Sequence, residues 1–273
     1  MTVTISAFYK FVAIADPAQL QTVAIEVCRQ HAIKGTILLA HEGINATVSG
    51  PAEGVASLLI WLRSDVRFRD LESKDSAAPQ HPFKRMKVKV KPEIVSFGHP
   101  EVRPALGVGT YVRAEDWNAL IQEPGVVIVD TRNTYEYGIG TFPGAIDPGT
   151  QTFREFAAFA DTELAARRNQ KVAMFCTGGI RCEKATAYLQ ANGFNQVYHL
   201  QGGILKYLEV VPQADSLWQG ECYVFDKRVA LEHGVIPAGY RHCNSCGVPV
   251  RLTVSDSPDP LCVICSTRYE AQQ

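Results

Sequence analysis

Charge of one sign is what this sequence most plainly lacks. Its 273 residues carry 27 Lys and Arg against 28 Asp and Glu, a formal net charge of −1. That balance excludes binding of polyanions through the field of the whole chain, so any nucleic-acid contact has to come from a local patch. Long hydrophobic runs are missing too. The densest, residues 55–62, contains Ser57 and falls far short of the roughly 18 residues that span a bilayer, so no membrane association is expected. Internal repeats and low-complexity tracts are absent, which excludes solenoids and fibres. The N-terminal Met1-Thr-Val-Thr-Ile-Ser shows no basic segment followed by an apolar one, so no signal peptide and a cytoplasmic location are expected. What is present, 46% hydrophobic and 20% charged residues, is globular composition at a length that suits two domains.

Hydrophobic periodicity divides the chain. Thr4–Val12 reads as a strand and Pro17–His31 as a helix with Leu20, Val23, Ala24 and Val27 on one face. Thr36–Ala40 and Ile44–Ser49 read as strands around a His41-Glu42-Gly43 turn. A helix then opens at Gly50-Pro51, and strands are expected at Val66–Leu71 and Met86–Val95. This β-α-β-β-α-β order predicts an α+β, ferredoxin-like domain over residues 1–95. Residues 96–110, within a Pro- and Gly-rich stretch, are expected as a linker. From 111 to 212 strands and helices alternate: Val126–Asp130, Lys171–Phe175 and Gln196–Leu200 are short apolar strands, and Phe153–Arg167 and Glu183–Ala191 are helices. That pattern predicts a doubly wound α/β domain. Residues 213–273 form an irregular, cysteine-rich tail.

The eight cysteines, in a chain expected to be intracellular, point to metal or redox chemistry rather than disulfides. Cys28 sits in a helical apolar stripe and reads as an inert thiol; Cys222 is expected to pack. Cys176 is different. The strand 171–175 runs straight into Cys176-Thr177-Gly178-Gly179-Ile180-Arg181-Cys182, after which a helix is expected to start. The two glycines let consecutive backbone N–H groups turn inward, and the helix N-terminus adds its positive end. A thiol in such a cradle, beside Arg181, ionises readily. Cys176 is therefore the candidate nucleophile, with Thr177, Gly178, Gly179 and Ile180 as its loop.

These residues also carry a resemblance. Cys-x-x-Gly-x-Arg is similar to the active-site loop of rhodanese domains. Asp130-Thr131-Arg132, Glu136, Gly140–Ile146 and Leu200-Gln201-Gly202-Gly203 match their flanking signatures, with Asp130 and Arg132 expected to support the site. Cys182 departs from the Ser or Thr usual there, and Thr141 from the usual His. The longer motifs His41–Gly50, Asn133–Tyr137, Thr152–Phe156, Phe175–Lys184 and Gly220–Asp226 together resemble the rhodanese-containing tRNA uridine(34) hydroxylases, over nearly the whole chain. The resemblance implies an acylphosphatase-like N-terminal domain and a rhodanese-like second domain. It also implies oxygen-dependent 5-hydroxylation of the tRNA wobble uridine, with Cys176 as the essential residue and molecular oxygen as co-substrate.

Three functions compete. A hydroxylase would add the Cys176 thiolate to C6 of uracil and draw two electrons from a Cys176/Cys182 dithiol; Cys182 is equally readable as a passive thiol. A sulfurtransferase would carry a persulfide on Cys176. A non-enzymatic RNA-binding protein would use the rhodanese unit as scaffold. No flavin, haem or nucleotide motif is present.

In the tail, Cys243-Asn-Ser-Cys246 and Cys262-Val-Ile-Cys265 are two C-x2-C pairs whose spacing suits four thiolates converging on one structural Zn²⁺ in a zinc-ribbon-like element. For RNA, Arg85, Lys87, Lys89 and Lys91 alternate with Met86, Val88 and Val90, which in a strand places the cations on one face and the apolar residues on the other. Residues 63–91 hold nine Lys and Arg against four acids, enough to follow a phosphate backbone. Nothing in the sequence decides the oligomeric state.

Overall fold

The computed structural model describes residues 2–252 and 260–270. The chain divides into two compact units, Met1–Val108 and Gly109–Gln273.

The first unit is an antiparallel-dominated sheet covered by two helices. Its elements are β1 (Val3–Phe11), α1 (Pro17–Gln30), β2 (Lys34–Ala40), β3 (Gly43–Gly50), α2 (Ala52–Ser64), β4 (Ser73–Ala78) and β5 (Met86–Val90). The strand order is β4-β1-β3-β2-β5. α1 begins with Pro17 in its first turn, where the missing N–H costs nothing, and buries Leu20, Ala24 and Cys28 at four-residue intervals. α2 buries Val55, Leu58, Leu59 and Leu62, and these meet Phe8, Ile37, Ile44 and Val48 from the sheet in one core.

Two expected strands differ. Val66–Leu71 contains a single 3₁₀ turn, Val66–Phe68, because the Asp65 carboxylate accepts the Arg67 N–H at 2.9 Å and turns the chain so that Phe68 is buried. The strand falls instead on Ser73–Ala78, pairing antiparallel with β1 from Val3↔Ala78 to Phe8↔Ser73. That polar segment has no apolar alternation to announce it. The last strand ends at Val90 rather than Val95, pairs parallel with β2, and lies outside the β-α-β-β-α-β core as a fifth, edge strand. Beyond it, Glu42 accepts the Ile94 N–H at 2.7 Å and the Asn45 amide donates to the Ile94 carbonyl at 2.9 Å. Ile94 and Phe97 are fully buried, and the first unit continues to Val108.

The second unit is built on a four-stranded parallel sheet, β6 (Thr110–Val112), β7 (Val127–Asp130), β9 (Lys171–Phe175) and β10 (Gln196–Leu200), in the order β6-β10-β9-β7. Its other elements up to residue 212 are α3 (Ala114–Ile121), α4 (Thr134–Tyr137), β8 (Gly140–Thr141), α5 (Phe156–Thr162), α6 (Ile180–Ala191) and α7 (Gly203–Val210). The helix expected over 153–167 is broken into a 3₁₀ turn, α5 and a second 3₁₀ turn; Thr162 ends α5 by returning its hydroxyl to the Ala158 carbonyl at 2.9 Å. Phe142 is the hub of the core, with Trp117, Phe175, Tyr207 and Trp218 rings 4.9–5.9 Å away, mostly edge-on.

The tail packs into this unit rather than standing apart. β11 (Gln219–Gly220) pairs with β8, and Trp218 and Cys222 belong to the same core as Phe142. β12 (Cys222–Tyr223), β13 (Ala230–Glu232) and β14 (Ile236–Pro237) form a small sheet, followed by a hairpin of β15 (Tyr240–His242) and β16 (Pro249–Arg251) and by α8 (Val263–Glu270). Residues 253–259, between the two cysteine pairs, lie outside the described residues. Among the described residues no helix is long and apolar enough to cross a membrane.

Candidate active site

Cys176 follows the last residue of β9, at the C-terminal end of the parallel sheet where ligands of α/β folds collect. Gly179, at φ +105°, turns the loop, and its N–H donates to the Cys176 sulfur at 3.1 Å. That turn lets α6 start at Ile180, earlier than expected, so Arg181 and Cys182 sit inside its first turn. The loop is held from below by α7: the Ile204 and Leu205 N–H groups donate to the carbonyls of Cys176 (2.9 Å) and Thr177 (3.1 Å). A Cβ on Gly203 would stand 2.5 Å from the Cys176 carbonyl oxygen and 2.8 Å from the Gly178 nitrogen. Only glycine lets the two segments approach this closely, which gives the Leu200–Gly203 motif its physical meaning.

The electrostatics separate the two thiols. Burial by itself would push Cys176 up, but a hydrogen bond from Cys182, the Arg181 charge and the backbone N–H groups of Cys182 and Gly179 hold it well below the ordinary thiol range. Cys182 is pushed well above that range by burial and by the same partner, and its sulfur also lies 3.5 Å from the Thr131 hydroxyl. Of the two thiols, Cys176 is therefore the one that loses its proton more readily. Both are fully buried.

Around them lies a charged network of which the sequence shows only a part. Arg181 makes a bidentate pair with Glu136, at 2.7 and 2.8 Å, and donates to the Thr177 hydroxyl at 3.2 Å. Burial alone would raise Glu136, yet the Arg181 charge and hydrogen bonds hold it below the usual carboxylate range. Glu136 also closes the Asn133 capping box of α4. The Asn-x-x-Glu spacing announces the cap, but nothing in the sequence announces the ion pair to Arg181. The expected supports Asp130 and Arg132 form a second buried pair at 2.6 Å; Thr141 donates to Asp130 at 3.2 Å, and the Arg132 guanidinium stands 5.2 Å from the Trp218 ring centroid. Tyr223 and Phe225 are further neighbours of the loop that no spacing or period announces. The Thr177 hydroxyl donates to the Tyr223 carbonyl at 3.4 Å, and the Arg181 guanidinium is 5.8 Å from the Phe225 ring centroid, so the segment 222–226 lies against the cysteine loop.

The tail brings Cys243, Cys246, Cys262 and Cys265 together, with all four sulfurs within 4.8 Å of one another. The β15–β16 hairpin carries the first pair, and the second stands at the start of α8. The Cys262 N–H donates to the Cys243 sulfur at 3.3 Å, and Cys246 and Cys262 sulfurs are 3.6 Å apart. A tetrahedral ion with metal–sulfur bonds of about 2.3 Å separates its sulfurs by about 3.8 Å, so the cluster could hold a metal ion with little adjustment.

In the first unit, Arg85, Lys87, Lys89 and Lys91 are all exposed along β5. Val88 is buried and Met86 half-buried, but Val90, expected to face inward, is exposed because the strand ends there at the sheet edge.

Comparison with known proteins agrees with this architecture. Residues 3–94 match the UPF0176 acylphosphatase like domain and residues 113–209 the Rhodanese-like domain. A tRNA uridine(34) hydroxylase of Rhizobium leguminosarum bv. trifolii is 49% identical over 98% of this chain and 87% of its own length. Its counterparts from Picosynechococcus sp. (54% identical, 89% of this chain and 82% of that protein) and Albidiferax ferrireducens (52%, 94% and 81%) agree along the same span. The chain belongs to the tRNA uridine(34) hydroxylase family.

Proposed function

We propose that the protein hydroxylates C5 of the wobble uridine of tRNA with molecular oxygen, using Cys176 as nucleophile. What carries this reading is the geometry at Cys176: a fully buried sulfur that accepts the Gly179 N–H at 3.1 Å, in surroundings that favour its thiolate form. Relatives about half identical to this chain bear the hydroxylase name. Addition of the thiolate to C6 of uracil makes C5 carbanionic, and C5 takes up O2 as a hydroperoxide. The Cys182 thiol accepts the distal oxygen as a sulfenic acid, leaving a hydroxyl on C5. Loss of the C5 proton expels Cys176, which then attacks the Cys182 sulfenic acid to give a disulfide and water. The balance is one uridine, one O2 and two thiols in, one 5-hydroxyuridine, one water and one disulfide out. An external thiol reductant resets the pair.

Because both sulfurs are buried, uracil reaches Cys176 only when the loop or the segment 222–226 over it opens. Arg181 holds the thiolate and Glu136 holds Arg181. The exposed row Arg85, Lys87, Lys89 and Lys91 attracts the tRNA backbone through its phosphates. The four tail cysteines hold a structural Zn²⁺; with four protein ligands no coordination position remains for substrate or water. A tRNA substrate places the protein in the cytoplasm.

The test is nucleoside mass spectrometry of an unmodified tRNA transcript incubated with purified protein and a thiol reductant. We expect 5-hydroxyuridine at position 34 in air, and none under argon or with Cys176→Ser. A thiolated uridine would make the protein a sulfurtransferase. RNA retained but unmodified would leave an RNA-binding protein on a rhodanese scaffold.

A further inference from the structure

Phe225 is 64% exposed, yet its neighbours Val224, Asp226 and Val229 are buried. The exposure is therefore that of one side chain and not of a loose loop. The turn beneath it is tightly tied. The Val224 N–H donates to the Val229 carbonyl at 2.9 Å, and the Val229 N–H returns to the Asp226 carbonyl at 3.1 Å. Asp226 and Arg228 form an ion pair at 2.7 Å. A single exposed apolar side chain is ordinary on a protein surface; what sets Phe225 apart is that a tied turn holds it beside the cysteine loop.

What surrounds the ring says which ligand. Tyr223 meets Phe225 edge-on with centroids 5.1 Å apart, and Tyr135 meets Tyr223 edge-on at 5.2 Å. The Arg181 guanidinium, which holds the Cys176 thiolate, stands 5.8 Å from the Phe225 centroid. A short aromatic row with a fixed cation thus adjoins the cysteine loop within one unit. Aromatic faces next to guanidinium groups are how proteins hold splayed-out, unpaired bases of single-stranded RNA.

We propose that Phe225, backed by Tyr223 and Tyr135, is a stacking platform for an unpaired nucleobase of the anticodon loop, and that it holds the loop over the buried thiol before Cys176 is uncovered. This rests on the reading of the protein as a tRNA uridine hydroxylase.

The experiment uses the full chain and an anticodon stem-loop RNA carrying uridine at position 34. Phe225→Ala should raise KM for the stem-loop about tenfold or more, the scale of one base stack removed. Phe225→Tyr should restore it, and an unchanged thermal unfolding midpoint would show that the turn stays folded. In Phe225→Trp, the added indole fluorescence should be quenched on RNA binding, beyond any change in the wild type. Wild-type KM in Phe225→Ala, or an indole in Phe225→Trp blind to RNA, overturns the platform and leaves the hydroxylase reading standing. A wild-type protein that neither binds nor modifies the stem-loop overturns both. Self-association that disappears in Phe225→Ala without RNA would assign the ring to an interface between two copies and overturn the platform as well.

Discussion

At the scale of the residue, two neighbouring buried thiols are pulled apart in acidity. Cys176 is held below, and Cys182 above, the ordinary thiol range. An ordinary thiol loses reactivity about tenfold per pH unit once the pH falls below its pKa near 8.5. Because the depressed group stays ionised to lower pH, alkylation of Cys176 by iodoacetamide should have its midpoint at lower pH than an ordinary thiol. A midpoint at or above that of an ordinary thiol would show that the surroundings do not favour the thiolate. Arg181→Ala tests the cause. It removes the cation that favours the thiolate, so the midpoint of that profile should rise. It also strands the buried Glu136 carboxylate, which should cost about 3–5 kcal/mol of stability, read in denaturant unfolding. A loss of stability with an unmoved midpoint would reduce Arg181 to a packing role. The cysteine loop and its candidate nucleophile are legible in the sequence because strand, Cys, Gly-Gly and Arg appear in chain order. The Glu136 pair is not, because its partners lie 45 positions apart and only the fold joins them.

Single elements show a similar division. Strands with apolar alternation, such as β1 and β3, and the buried runs β7 and β9 are readable from period alone. β4 escapes because Ser73–Ala78 is polar and becomes a strand only by pairing with β1. Val66–Leu71 misleads because its apolar residues serve a capped turn. In the tail the cysteine spacing is legible, whereas the burial of Trp218 and Cys222 in the second unit's core is not, since irregular segments carry no period to read. The cysteine cluster gives this element its own prediction. Protein prepared without chelator should carry about one zinc per chain, and Cys243→Ser or Cys265→Ser should release it. Metal analysis of the purified protein and both variants decides this, and a metal-free, folded wild type would contradict it.

For the whole molecule, near-zero net charge means that the proposed RNA attraction has to come from a few exposed cations. Reversing Lys87 and Lys89 to Glu should weaken tRNA binding and flatten its salt dependence by about one unit of log–log slope for each phosphate left without its cation. Equal affinity and equal slope, measured by anisotropy across a salt series, would make the β5 edge a solvated face. If Cys176 directs an oxygen atom from O2 onto uridine, isotopically heavy O2 must leave its label in the product. With purified wild-type protein, unmodified tRNA and a thiol reductant, we expect 5-hydroxyuridine bearing the heavy oxygen, and no product with Cys176→Ser. Product whose oxygen came from water, or labelled product formed without Cys176, would contradict it.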